Sequence, residues 1–158
     1  MITQQSLLNS LEAYVQEETG ARKRTLAIVE RQERAIVACS ADELTAATRA
    51  LEVELETQIE RSKRRQRMFN AFAQLWRVPV DALTLSSIAE RCGGAAQNLL
   101  ALRKELRDAT AELARKNRRL SALATLHRRV VHDLIGLLVD DESATPLATA
   151  GTLVDAEA

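Results

Sequence analysis

Three sets of residues have the types that chemistry uses, and their spacing decides what each can do. Glu52, Glu56 and Glu60 recur every four residues, which puts three carboxylates on one face of a helix. Such a row can line one side of a carboxylate metal site, but the Glu-x-x-His motifs that complete the di-iron bundles are absent. His127 and His132 are spaced too widely for the i, i+4 pair of a helical zinc site, and His127 falls in an apolar seam where it reads as a packed residue. His132 and Asp133 are neighbours in sequence, so on a helix their side chains diverge rather than forming a catalytic dyad. Cys39 and Cys92 are too few for a disulfide framework and have no metal-spaced partner; they read as free thiols at or near helix ends. Acid–base catalysis needs a polar cleft with tuned pKa values, which a surface row of glutamates does not supply. The expectation is a protein that is not an enzyme and needs no cofactor or metal.

The composition narrows the partners. Lys plus Arg is 22 and Asp plus Glu is 22, so the chain has no net charge with which to attract nucleic acid. The basic run Arg61, Lys63, Arg64, Arg65 and Arg67 follows directly on the acidic row and has no interleaved aromatics for base stacking. It reads as solvated helix surface, and nucleic acid is not an expected partner. Residues 1–10 lack the basic-then-apolar order of a secretory signal, and no run of eighteen apolar residues occurs. No stable membrane insertion is expected, and the location reads as cytoplasmic. Aromatic residues make up 3% of the chain, which favours a helical core of Leu, Val, Ile and Ala over a sheet sandwich.

The elements that carry these residues follow from periodicity. Residues 95–139 place Leu99, Leu102, Leu106, Ala109, Leu113, Lys116, Leu120, Leu123, His127, Val130, Leu134 and Leu137 at alternating spacings of three and four. This is a heptad seam in a segment without proline, and a helix of about 45 residues is roughly 65 Å long, so its apolar stripe must find cover. Upstream, residues 6–37 form a first helix with Leu8, Leu11, Val15, Thr25, Val29 and Ile36 in its seam and Glu18, Arg22 and Gln32 at weaker positions. Gly20 lies inside it at a local cost of about 1 kcal/mol relative to alanine. Residues 39–42 make the corner, with Ser40 and Glu43 as a capping box. A second helix spans 41–76 with the seam Leu44, Thr48, Leu51, Leu55, Gln58, Ser62, Arg65, Phe69, Phe72 and Trp76, polar at its centre. The two polar centres can meet through hydrogen bonds, face water or admit another chain.

Pro79 stops the second helix, a short helix over 85–91 is capped by Thr84 or Ser86, and Gly93 and Gly94 allow the turn into the last helix. The short helix can cover the aromatic end formed by Phe69, Phe72 and Trp76. The apolar surface of the last helix broadens through Val130, Val131, Leu134, Ile135, Leu137, Leu138 and Val139, with Gly136 allowing a close contact. Asp140, Asp141 and Glu142 sit unfavourably at the negative helix end and terminate it, leaving residues 143–158 as a flexible tail. The expected fold is all-α: an elongated antiparallel hairpin, a short helix and a long C-terminal helix in a coiled-coil-like bundle over 1–142.

Taken together, this pattern resembles the flagellar type III export chaperones of the FlgN family. The likeness rests on the first helix ending in Glu33, Ala35 and Ile36, on Asp42, Glu43 and Leu44 at the hairpin, and on the second helix reaching Arg67. It continues in the last helix, with Asn117 in the leucine-rich 113–123 segment, and in a tail with Gly151 and Leu153. The chain departs from the family pattern where Arg118, Arg119 and Leu120 follow Asn117 in place of paired asparagines, and where Ala148, Thr149 and Ala150 precede Gly151 without a tyrosine. The resemblance implies an ATP-independent chaperone for the C-termini of hook-filament junction proteins, the first and third hook-associated proteins, working with the flagellar export apparatus. On that reading Leu123, Val130, Val131, Leu134, Leu137 and Leu138 bind an amphipathic cargo helix, and Asn117, Arg118, Arg119, Arg128 and Arg129 steer it or set its register. The bottom-up alternatives are a homo-oligomeric coiled-coil scaffold pairing through the same seam, and an RNA-associated bundle using the arginine runs.

Overall fold

A computed structural model describes residues 3–143, with side chains described for residues 3–138. Every regular element among them is helical: α1 (Gln4–Val37), α2 (Ala41–Trp76), α3 (Leu85–Cys92) and α4 (Gln97–Ser143), with single 3₁₀ turns at Val80–Ala82 and Gly93–Ala96. The all-α class, the hairpin, the short helix and the long last helix are as the periodicity predicts. Contacts divide the chain into two units, residues 1–123 and 124–158.

In the first unit α1 and α2 are antiparallel. Glu43 pairs with Arg31, Thr48 with Gln32, Glu54 with Arg24 and Arg61 with Glu18, so numbers rise on one helix as they fall on the other. The first part of α4 runs parallel to α1, since Asn98 meets Glu12, Lys116 meets Glu30 and Arg119 meets Glu33.

Both ends of the hairpin helices close through backbone geometry. At the corner Cys39 takes a left-handed φ of 52°, which lets the Ser40 N–H reach the Ala35 carbonyl and the Cys39 N–H reach that of Ile36. That paired arrangement satisfies carbonyls which the end of α1 would otherwise orphan. Arg77 repeats the move at φ 53°, with the Val78 N–H on the Ala73 carbonyl, and α2 ends at Trp76 as expected, two residues before Val78 and Pro79 redirect the chain. The capping box expected from Ser40 and Glu43 does not form. Ser40 stands at the cap position without a side-chain bond, because Glu43 turns across the hairpin to Arg31 at 3.3 Å. The short helix does carry a capping box, between Thr84 and Ser87.

The core lies where α1, α2, α3 and the start of α4 converge. Leu8, Leu11 and Val15 meet Phe72, Ile88 and Leu99, all with essentially no exposure. The aromatic side chains gather here too: Tyr14 and Phe72 are buried, Phe69 and Trp76 pack at the edge, and Arg91 closes the Trp76 face at 5.4 Å. The aromatic cluster is therefore part of the core, and α3 packs on it through Ile88 and Ala89.

α1 begins two residues earlier than expected and α3 ends one residue later, and both ends of α4 differ. A 3₁₀ turn at Gly93–Ala96 delays the start of α4 to Gln97, and α4 continues through Asp140, Asp141 and Glu142 to Ser143. An acidic run at a helix end costs only tenths of a kcal/mol to about 1 kcal/mol, which intrahelical hydrogen bonds of the preceding turns can outweigh. Ser143, assigned to the tail, is helical; the rest of the expected tail lies outside the described residues.

Candidate functional site

The polar centres of α1 and α2 meet each other. Arg61, expected at the solvated surface, is buried between them: its Nε donates to Glu18 at 3.0 Å, its Nη2 lies 3.0 Å from Glu54, and its Nη1 donates to the Thr57 hydroxyl at 2.8 Å. Glu18 also takes Arg22 at 2.6 Å, and Glu54 takes Arg24 at 3.1 Å. Burial alone would raise the Glu54 carboxyl, but the hydrogen bonds and charges of Arg24 and Arg61 outweigh it and hold it below the ordinary carboxylate value. The same hydrogen bond holds the Arg24 guanidinium up. Burial pushes the neighbouring Tyr14 phenol up, with the Glu18 charge adding to it, against the pull of Arg65, Arg22 and Arg61.

This layer widens the α2 seam by one residue at alternate positions. α2 buries Ala47, Arg61 and Met68 and half-buries Glu54 beside the expected Thr48, Leu55, Ser62 and Phe69; of these Thr48 still accepts from Gln32 and Phe69 still packs on the core, while Leu55 and Ser62 are exposed. Leu55 is consequently 50% exposed and Ile59 59% exposed. Once Arg61 is paired, Glu18 and Glu54 count as interface residues, and an apolar tally cannot see that.

Among the described residues no group of three or more His, Cys, Asp or Glu can hold a metal ion, and no helix is long and apolar enough to cross a membrane. Glu60 is held by Lys63 at 2.7 Å, which lowers its carboxyl through that hydrogen bond. Of the remaining basic run, Arg64 is tied to Glu17 at 2.6 Å. Cys39 and Cys92 are free; Cys92 accepts from Gln4, and burial pushes its thiol up.

The long seam of α4 loses burial stepwise. Leu99 and Leu102 are buried; Leu106, Ala109, Leu113, Lys116, Leu120 and Leu123 are half-buried; His127, Val130, Leu134 and Leu137 are exposed. His127 thus lies in the seam but is not packed, correcting the expectation for it. Of the predicted cargo residues, Leu123 belongs to the first unit, while Val130, Val131, Leu134, Leu137 and Leu138 lie in the second, all exposed. Leu126 and Ile135 are exposed beside them and extend the predicted set; their four-residue spacing to Val130 and from Val131 was the available signal. At about 100° per residue these side chains cover roughly half the helix circumference. Gly136 has no described atom within 4 Å of where a Cβ would stand, so the close contact expected there is not made among the described residues.

The steering residues divide. Arg119 is committed to Glu33 at 2.8 Å, beside Lys116, and so fastens α4 to α1. Asn117 and Arg118 are exposed in the first unit. Arg128 and Arg129 are exposed, make no ion pair with any described residue, and by helical spacing flank the apolar stripe on its two sides. The second unit thus presents an apolar helix face edged with cations.

No protein-family model, curated protein or solved structure matches the chain.

Proposed function

We propose that this protein is a non-enzymatic, cytoplasmic export chaperone of the FlgN type. It holds the C-terminal helical segments of hook-filament junction proteins, the first and third hook-associated proteins, and passes them to the flagellar type III export apparatus. One observation carries the reading: the α4 stripe of Val130, Val131, Leu134, Leu137 and Leu138 is exposed in the chain by itself, from 41% at Val131 to 69% at Leu138. An amphipathic cargo helix laid on that stripe buries its own apolar face and is kept from premature self-association. Arg128 and Arg129 favour cargo with acidic groups beside its apolar row, contributing more to register and encounter than to net affinity.

The test is titration of the full chain with purified C-terminal peptides of the junction proteins, followed by calorimetry. Wild type binds, and the double substitution Leu134→Asp and Leu137→Asp weakens binding by about a hundredfold or more, since it places two charges in the desolvated contact. A folded wild-type protein that binds none of these peptides ends the proposed role; undiminished binding by the double variant ends the proposed site.

A further inference from the structure

Beside the charged layer the first unit holds a cavity of about 170 Å³ to which α1, α2, α3 and α4 all contribute. Phe69, Leu85 and Leu106 make an apolar wall, and Tyr14, Glu18, Arg22 and Arg65 make a polar one. The polar wall has more donors than its one carboxylate can occupy. Glu18 already gives one oxygen to Arg22 at 2.6 Å and the other to Arg61 at 3.0 Å. The Nε of Arg22 is nevertheless buried without a hydrogen-bond partner. Tyr14 is 5% exposed and its hydroxyl bonds to no described residue; burial pushes the phenol above its ordinary value, so it stays a donor. Arg65 makes no ion pair with any described residue. Around the cavity and its layer, four arginines, Arg22, Arg24, Arg61 and Arg65, stand against two glutamates, Glu18 and Glu54.

Buried donors without an acceptor are costly, and a carboxylate relieves several at once because each of its oxygens accepts more than one hydrogen bond. The volume lies below the roughly 300–1,000 Å³ of sites for drug-sized molecules, so the ligand is small. We infer that this cavity binds a small monocarboxylate with a compact apolar body, of the size and chemistry of benzoate. Arg65, Arg22 and the Tyr14 hydroxyl are its donors, and Phe69, Leu85 and Leu106 take the apolar body. Such a ligand meets residues of all four helices and so fastens the start of α4 to the hairpin. The site uses residues of the first unit alone and stands whether or not the proposed function does.

The test is calorimetric titration of the full chain with benzoate, benzamide and inorganic phosphate, with the ultraviolet absorbance of Tyr14, the single tyrosine of the chain, as a second reading. Benzoate binds with a Kd of about 1 mM or below, perturbs the Tyr14 absorbance and raises the melting temperature. Benzamide keeps the ring but not the charge, phosphate keeps the charge but has no apolar body, and each binds about tenfold or more weakly. Arg65→Ala, at an exposed position without an ion pair, weakens benzoate about tenfold or more. Thr110→Trp, at an exposed position on the cavity lining, blocks entry and abolishes the Tyr14 change. Far-UV circular dichroism checks that both variants keep their helix. No heat and no Tyr14 change at about ten times the expected Kd overturns the inference and leaves these donors to water. Benzamide or phosphate binding as tightly as benzoate overturns the ligand class, and undiminished binding by either folded variant overturns the site. Should a variant lose helix, Arg65→Gln gives the second reading, and undiminished binding by it overturns the site in the same way.

Discussion

Two parts of this molecule are equally apolar in sequence and opposite in structure. Where α1, α2, α3 and the start of α4 meet, Leu8, Leu11, Phe72, Ile88 and Leu99 are sealed. In the second unit Leu134, Leu137 and Leu138, spaced as regularly as Leu99 and Leu102, are 55%, 68% and 69% exposed. Periodicity tells which residues share a face; whether the face is covered depends on how many other elements reach it. Residues of four helices enclose the first region, while no described residue buries the second.

The comparison is broken most directly from the covered side. Phe72→Ala removes the central ring of the core and should cost about 3–5 kcal/mol, read as a lowered urea midpoint. A loss below about 1 kcal/mol would mean that this end is as loosely held as the stripe. Next in size is the charged layer. Arg61→Ala leaves buried Glu18 and half-buried Glu54 with one cation fewer each, and should cost about 3 kcal/mol by the same measurement.

The layer also sets an acid dependence. The Glu54 carboxyl lies below its unfolded value of 4.5 in the folded chain. Its stabilisation is therefore fully present above that pH and is lost as pH falls through the folded value, because the unfolded chain then takes up the proton more readily. A urea series from about pH 7 to about pH 3 should show the loss at the acid end, and Glu54→Gln should flatten that part of the profile. An unchanged profile would mean that the Arg24 and Arg61 contacts do not hold the carboxylate down.

The elements themselves were legible because each reading rested on a local signal. Seam positions Leu8, Leu11, Val15, Val29 and Ile36 are buried, and even the weak positions Glu18 and Gln32 are. α2 was harder, because the residues that face α1 at its centre are Glu54 and Arg61, whose place in an interface depends on partners contributed by another helix. The corner was placed correctly but for a different reason: a left-handed Cys39 and two backbone bonds close it, and nothing in a cysteine's type announces that geometry. The widening of the α4 stripe was visible as pattern, while its exposure needed the structure.

A smaller effect separates intrinsic helix cost from packing. Gly20 lies within α1, and a Cβ there would stand 3.6 Å from the Arg24 guanidinium, an ordinary contact. Gly20→Ala should therefore raise stability by about 1 kcal/mol, seen as a higher melting temperature. A destabilised variant would show that α1 needs the bare backbone at this point.

The smallest expected effect on stability is the sharpest test of the contrast. Leu134→Asp puts a charge on a side chain that is already 55% exposed, with no cavity opened and no hydrogen bond lost. In the dilute, monomeric chain the urea midpoint should move by no more than about 0.5 kcal/mol, against several for Phe72→Ala. Under the proposed function, apolar residues at regular spacing that contribute so little to their own fold are accounted for by a cargo helix that covers them. Were Leu134→Asp instead to cost as much as Phe72→Ala, the stripe would belong to the folding core of the chain, and the division between a sealed end and an offered face would fail.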